Sequence, residues 1–232
     1  METLKKTYRR VMEFVNKIKN RHSLSGDGER VDITFDVKID TTHFDMYQMS
    51  HYKRYLFAVE TIAQDAIVAD FASGTGYGSI LLAQKAKHVV GADINDKVIA
   101  TIKKRYATFH NVEFQTADLL TLSFENTFDT IISFETIEHF KETDIAKLFA
   151  IYQKALRPGG TIIFSTPYMQ EKTEVAVNMG FHFTFDIDEQ KIADWLSTAG
   201  LTMVTCKYQN YETHNIVDSQ EKKDFIICVV KK

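Results

Sequence analysis

The run VADFASGTGYGS, Val68 to Ser79, constrains this chain more than any other stretch. An apolar segment fit for a buried strand passes directly into a glycine-rich turn and then into helix-forming residues. Gly74, Gly76 and Gly78 fall at alternate positions, where a bare backbone admits a nucleotide-like ligand against the turn and the amide end of the helix. The same spacing serves a strand-to-helix turn that needs glycine only for its own geometry. On this motif alone both readings stand.

About twenty residues further on, HVVGADI (His88 to Ile94) predicts a second strand with Asp93 at its C-terminal end. In nucleotide-binding βαβ units an acid at that spacing accepts hydrogen bonds from ribose hydroxyls. The competing reading is a helix cap, a role that Asn95 or Asp96 could also fill. Loop, spacing and acid together favour the ligand. The glycines form G-x-G-x-G after Asp70 rather than G-x-G-x-x-G, so a nicotinamide or flavin dinucleotide fits less well.

Strand and helix signals alternate from Ala66 onward, which predicts an α/β fold, a Rossmann-like doubly wound seven-stranded sheet. Strands are expected at 67–72, 88–92, 112–116, 128–134, 160–166, 202–210 and 223–231, and helices at 76–86, 96–108, 142–155 and 188–199. The run Arg157-Pro158-Gly159-Gly160 ends a helix and opens a strand. The last two strands have no helix signal between them and should form an antiparallel C-terminal hairpin. A chain of 232 residues that is 44% hydrophobic suits one well-buried catalytic domain. Its net charge of −3 supplies no overall basic field for nucleic acid.

With VADFASGTGYGS, VVGADI, QTADLLTL, FDTIISFETIEHF and LRPGGTIIFSTP, the chain resembles the class I S-adenosylmethionine-dependent methyltransferases from about Tyr52 to its end. The resemblance implies S-adenosyl-L-methionine as cofactor. It implies that Asp70 and the Gly74–Gly78 loop contact the methionine part, that Asp93 holds the ribose hydroxyls with Ile94 beside the adenine, and that Asp118 faces the adenine amino group with Leu119 stacking on the ring. One glycine common in the family is Ala72 here.

A second cluster, SFETIEHF (Ser133 to Phe140), lies where the fourth strand ends and the chain crosses the top of the sheet, the edge at which open α/β sheets hold ligands. Glu135, Glu138 and His139, joined by the later His182, are expected as ligands of a divalent metal, Mn²⁺, Mg²⁺ or Zn²⁺. The pattern E-x-x-E-H with a later His is similar to the metal site of small-RNA 3′-terminal 2′-O-methyltransferases. It is also common among class I enzymes in which no metal role need follow, and there Glu135 could contact the cofactor, Glu138 face solvent and His139 cap or pack. In either case Glu135, His139 and His182 are the candidate catalytic residues. A hydroxyl acceptor is a poor nucleophile until its proton leaves, and a metal or His139 as general base would remove it. Tyr77, Phe134 and Phe140 are expected to form an apolar wall beside the reacting methyl. In the excursion Tyr168 to Asp186, Phe181, Phe183 and Phe185 alternate with His182 as a short strand would, with the phenylalanines directed to the core.

Ahead of this domain, Leu4, Tyr8, Val11, Val15 and Ile18 predict an amphipathic helix. Packing on the domain or on a second subunit, membrane-surface contact and a substrate lid are its readings. A polar linker follows at 22–29, and a helix carrying His51, Tyr52, Arg54 and Tyr55 on one face leads to the first strand. That H-x-x-R-Y helix resembles the entry helix of bacterial methyltransferases acting on sugars and surface-polysaccharide precursors. Residues 1–51 are thus expected as a helical lid segment and 52–232 as the catalytic domain. Cys206 and Cys228 lack C-x-x-C spacing and suit buried thiols in a reducing compartment. With no long apolar run and no leader pattern, the chain is expected in the cytoplasm. The expected activity is O-methylation, with or without a metal, of a small sugar-like or phosphorylated metabolite in capsule or surface-polysaccharide biosynthesis. Metal-dependent RNA 2′-O-methylation and a non-catalytic cofactor-binding partner subunit are the alternatives, and a homodimer is the expected assembly if the chain self-associates.

Overall fold

A computed structural model describes residues 30–33 and 39–232. The helix expected at 4–18 and the linker at 22–29 lie outside the described residues. Helix α1 (Met46–Thr61) opens on a reciprocal capping box, in which the Gln48 amide donates to the Asp45 side chain at 2.8 Å and the Asp45 amide to the Gln48 side chain at 3.1 Å. The boundary expected between residues 51 and 52 falls inside this helix, which packs on the domain as one continuous element.

The remaining elements follow the alternation: β1 (Ile67–Phe71), α2 (Tyr77–Leu82), β2 (His88–Asp93), α3 (Asp96–Arg105), β3 (Val112–Thr116), β4 (Phe128–Phe134), α4 (Glu142–Ala155), β5 (Leu156–Pro167), α5 (Glu174–Met179), α6 (Glu189–Thr198), β6 (Thr202–Gln209) and β7 (Phe225–Lys231). Short 3₁₀ turns, Leu119–Thr121 and Ile137–His139, follow β3 and β4. The seven strands form one sheet in the order β3-β2-β1-β4-β5-β7-β6. The first five run parallel, and β7 is antiparallel to both its neighbours. The winding reverses between β1 and β4, which opens a crevice at the C-terminal ends of those strands.

Adjacent apolar residues on the central strands serve opposite faces. Ile131, Ile162 and Ile226 join the core under α4 and α6, whereas Ile132, Ile163 and Ile227 join the one under α1 and α2. Burial on both faces is why these strands read as continuous apolar runs rather than as an alternation.

The helices expected at 76–86 and 96–108 close early, at Leu82 and Arg105, and two further expectations change. Strand β5 begins at Leu156, not Gly160: Leu156 pairs with Phe128 and Thr161 with Thr130, so residues 157–160 bulge from the pairing within the strand, with Gly159 at φ +74°. Arg157 spends its charge on Asp129, at 2.9 and 3.0 Å, which pins that bulge. The strand expected around Phe181–Phe185 is absent. The amides of Phe183 and Thr184 both donate to the Glu138 carbonyl, at 2.8 and 3.2 Å, which bends the segment onto the Ile137–His139 turn. Of its phenylalanines only Phe185 is in the core, and Phe183 is 58% exposed. Cys206 and Cys228 are free thiols facing each other across β6 and β7, sulfurs 3.2 Å apart.

Candidate functional site

The chain leaves β1 by turning sharply. Ala72 stands at φ +61°, followed by Gly74 at +52° and Gly76 at +78°. Ala72 thus holds a left-handed conformation that glycine would adopt without strain. Gly76 is excluded from any side chain by Phe114, whose ring carbons lie 2.9 and 3.0 Å from where a Cβ would sit. Gly78 answers to a third constraint: its missing Cβ would fall 2.0 Å from Cζ of Tyr55. Only Gly74 fronts comparatively open space, its nearest neighbour the Arg30 side chain at 3.9 Å.

Beneath the loop lies Asp70, fully buried, with the Tyr55 hydroxyl donating to one oxygen at 2.9 Å and the Ser79 hydroxyl to the other at 2.6 Å. Burial raises its carboxyl to about 7, although both hydrogen bonds oppose the rise. With both oxygens engaged below the surface, Asp70 braces the loop from underneath, whereas the family resemblance implies that it contacts the methionine part of the cofactor. At the end of β2, Asp93 accepts from the Gly74 amide at 3.0 Å, from the Asn95 amide at 2.9 Å and from the Arg30 guanidinium at 3.1 Å. Asn95 caps α3, accepting from Lys97 and Val98, so the cap and the acid are separate residues. Ile94 beside them is 68% exposed. The Ala117 amide donates to the Asp93 carbonyl at 3.0 Å and brings the exposed Asp118 to the same edge, where its carboxylate caps the 3₁₀ turn through Leu120. Leu119 points into the core, 6% exposed. Ile94, Asp118 and Gly74 are therefore the expected cofactor residues that remain at the surface of the crevice, while Asp93 beside them is buried, 5% exposed, with Arg30 on its carboxylate.

The second cluster forms where β4 ends. Glu135 stands at φ +48° and its amide donates to the Ser165 carbonyl, which turns the chain across the sheet edge. Its carboxylate accepts from the Ser165 hydroxyl at 2.6 Å and lies 3.9 Å from Arg54. The expected four-residue metal group accordingly loses Glu135. What converges instead is Glu138, His139 and His182, one ligand atom of each lying within 4.8 Å of the others. Glu138 is 1% exposed rather than solvent-facing. One of its oxygens accepts from Thr166 at 3.0 Å and the other, Oε1, is buried without a partner. Burial, reinforced by the charge of Glu135, lifts its carboxyl to about 8.

The two imidazoles are oriented alike. His139 Nδ1 meets the Phe181 carbonyl at 2.9 Å and His182 Nδ1 meets the Gln170 side-chain oxygen at 2.6 Å. Both acceptors require Nδ1–H, so the neutral tautomer of each ring places its lone pair on Nε2. The rings meet edge to face, centroids 5.0 Å apart.

Helix α1 supplies the wall between the two clusters. Tyr55 packs edge-on against Tyr77 and Phe134, at 5.3 and 5.1 Å, and the His51 ring hydrogen-bonds the Tyr77 hydroxyl. Burial, with Arg54 nearby, holds His51 well below the usual imidazole range and so neutral. Arg54 itself is buried, bonded to Gln209 at 3.0 Å and stacked 4.3 Å from the Phe225 ring centre. Sequence reasoning missed Arg30, Thr166 and Gln170. Arg30 follows a turn-rich stretch with no periodicity, and the other two act only by orienting Glu138 and His182, partners distant in sequence.

Among the described residues no helix is long and apolar enough to cross a membrane. Residues 68–160 match the family model of the methyltransferase domain. The chain is 33% identical over 143 residues to phosphoethanolamine N-methyltransferase 1 of Arabidopsis thaliana, covering 59% of this chain and 29% of that one. It is 37% identical over 118 residues to demethylmenaquinone methyltransferase of Clavibacter sepedonicus, covering 47% and 45%. It therefore spans less than half the length of these two relatives. Its fold matches that of the N-methyltransferase NodS from Bradyrhizobium japonicum, solved with S-adenosyl-L-homocysteine, with a TM-score of 0.61 at 16% identity over 83% of this chain and 90% of the other. The seven-stranded sheet with its antiparallel final pair is the class I methyltransferase architecture.

Proposed function

We propose that this chain, built on the methyltransferase domain of residues 68–160, is an S-adenosylmethionine-dependent methyltransferase whose acceptor is a small polar metabolite, its receiving hydroxyl set against Glu138, His139 and His182. The observation that carries this reading is the convergence of two imidazoles and a buried carboxylate, one oxygen of it orphaned, at the same sheet edge as the glycine loop and Asp93. S-adenosylmethionine supplies a sulfonium methyl that needs no further activation. Asp93 offers the ribose acceptor, Gly74 the open backbone, and Ile94 and Asp118 the adenine flank.

The demanding step is then the acceptor's proton. Glu138, His139 and His182 would hold a divalent cation, which would be the partner that the buried Glu138 Oε1 otherwise lacks, and that ion would lower the pKa of a bound hydroxyl. Two imidazoles and one carboxylate favour Zn²⁺ or Mn²⁺ over Mg²⁺. His139 Nε2 can also take the proton directly, a contribution of about 10²–10⁴-fold. Tyr55, Tyr77 and Phe134 exclude water from the transfer path without opposing loss of the sulfonium charge.

The similarity to a phosphoethanolamine methyltransferase supports a small phosphorylated acceptor over a polymer. It also favours a second reading, transfer to an amine, in which the cluster acts as base without a metal. A sugar-like acceptor in surface-polysaccharide synthesis rests only on the H-x-x-R-Y resemblance of α1. The net charge of −3 disfavours RNA. Transfer of a mass-labelled methyl group to a panel of phosphorylated amines and hydroxy compounds tests the proposal. One acceptor should gain the label, and His139→Ala should lower turnover at least about 100-fold while cofactor affinity holds. Full turnover in His139→Ala would remove the cluster from the chemistry.

A further inference from the structure

We propose that Arg30 gates the ribose end of the cofactor site, an inference that rests on the methyltransferase reading above. Asp93 carries three donors. Two are backbone amides, Gly74 and Asn95, whose positions the loop and the start of α3 fix. The third, the Arg30 guanidinium on Oδ1, belongs to a side chain and can move. A ribose presenting two vicinal hydroxyls to this carboxylate needs an acceptor position on each oxygen. On Oδ1 the position beyond the Asn95 amide is the one Arg30 fills.

The same side chain crosses the only glycine of the loop that fronts open space, its Cγ 3.9 Å from the Cβ that Gly74 lacks. Its Nε is buried and unpartnered, so the closed position satisfies Asp93 while leaving a donor of its own desolvated. Residues 31–33 seat this arm at three further points. The Val31 carbonyl accepts from Thr75 at 2.8 Å, Asp32 pairs with Arg105 at 2.7 Å while its carbonyl accepts from Gln48 at 2.9 Å, and Ile33 is buried to 1% exposure. Residues 31–33 are thus clamped to the glycine loop, α3 and the first turn of α1, and Arg30 next to them lies on Asp93. Cofactor entry requires Arg30 to leave Oδ1, and the apparent affinity is lowered by the fraction of molecules in which it has not left.

Calorimetric titration with S-adenosylhomocysteine, and its association rate by surface plasmon resonance, separate the outcomes. Arg30→Ala should tighten the Kd roughly fivefold through a faster association rate. Asp32→Asn, which loosens the anchor on Arg105 without touching Asp93, should move both in the same direction by less. An unchanged Kd in Arg30→Ala overturns the gate. A weaker Kd overturns it as well, since Arg30 would then hold the bound cofactor rather than exclude it. Absence of binding by the unaltered protein would defeat the cofactor reading itself, whereas binding that Arg30→Ala leaves unmoved defeats only the gate.

Discussion

Replacing Gly78 by alanine should damage this fold far more than a single methyl group suggests. The new Cβ would lie 2.0, 2.1 and 2.5 Å from three ring carbons of Tyr55, so the whole ring must shift. Tyr55 is 3% exposed and wedged among His51, Tyr77 and Phe134, so a shift spreads through packed aromatics. Overpacking of this kind costs about 1–3 kcal/mol. The displaced hydroxyl also leaves Asp70, a buried bond to a carboxyl worth about 1.5–3 kcal/mol. The sum, roughly 2.5–6 kcal/mol, is a large share of the 5–15 kcal/mol that holds a typical domain. Urea unfolding followed by circular dichroism reads it as a lowered midpoint. Because the loss runs through one ring, it should be strongly coupled. In a Tyr55→Leu background, Gly78→Ala should lose at least about 2 kcal/mol less. A penalty below about 1 kcal/mol, or an equal penalty in both backgrounds, would refute the reasoning.

Asp70 makes stability depend on pH in a direction opposite to that of a salt-bridged acid. Its folded value, about 7, lies above the ordinary 3.8, so between about pH 4 and pH 7 the folded chain keeps a proton the unfolded chain has lost. Stability should decline across that window by on the order of 4 kcal/mol and level off above it. Asp70→Asn should flatten that part of the profile in chemical denaturation, and an unaltered slope would show that Asp70 is ionised throughout. Ala72→Gly, relieving φ +61°, should raise stability by about 1 kcal/mol; a lowered midpoint would mean the alanine is not strained. Asp93→Ala should weaken S-adenosylhomocysteine binding at least about tenfold in calorimetry, since it deletes a charged acceptor, and unchanged affinity would remove Asp93 from the site.

Most of the sheet was legible because its central strands are buried on both faces and bounded by clear turns. The strands Val112–Thr116 and Phe128–Phe134 and the helix Glu142–Ala155 lie where the sequence puts them. Where local pattern competes with long-range contacts, legibility fails. The alternation around His182 mimics a strand, but the Glu138 carbonyl captures two successive amides and makes a turn. Likewise E-x-x-E-H offers two carboxylates, and only the fold decides between them: the left-handed corner at Glu135 sends that side chain to Ser165 and Arg54, while Glu138 turns to His139 and His182. The glycine triplet carried its position but not its reasons, since Gly76 and Gly78 answer to Phe114 and Tyr55, residues 38 and 23 positions away in a chain that only folding brings together. Arg30 carried no sequence signal at all.

Native mass spectrometry of protein purified without chelator, titrated with S-adenosylhomocysteine and repeated after EDTA and with His139→Ala, bears most directly on the proposed function. The account predicts one cofactor mass per chain in every sample, together with one divalent ion that EDTA and His139→Ala both remove. Cofactor mass with no ion, even after Zn²⁺ or Mn²⁺ is supplied, would contradict the metal and leave His139 as a general base. No cofactor mass at saturating ligand would contradict the methyltransferase reading itself.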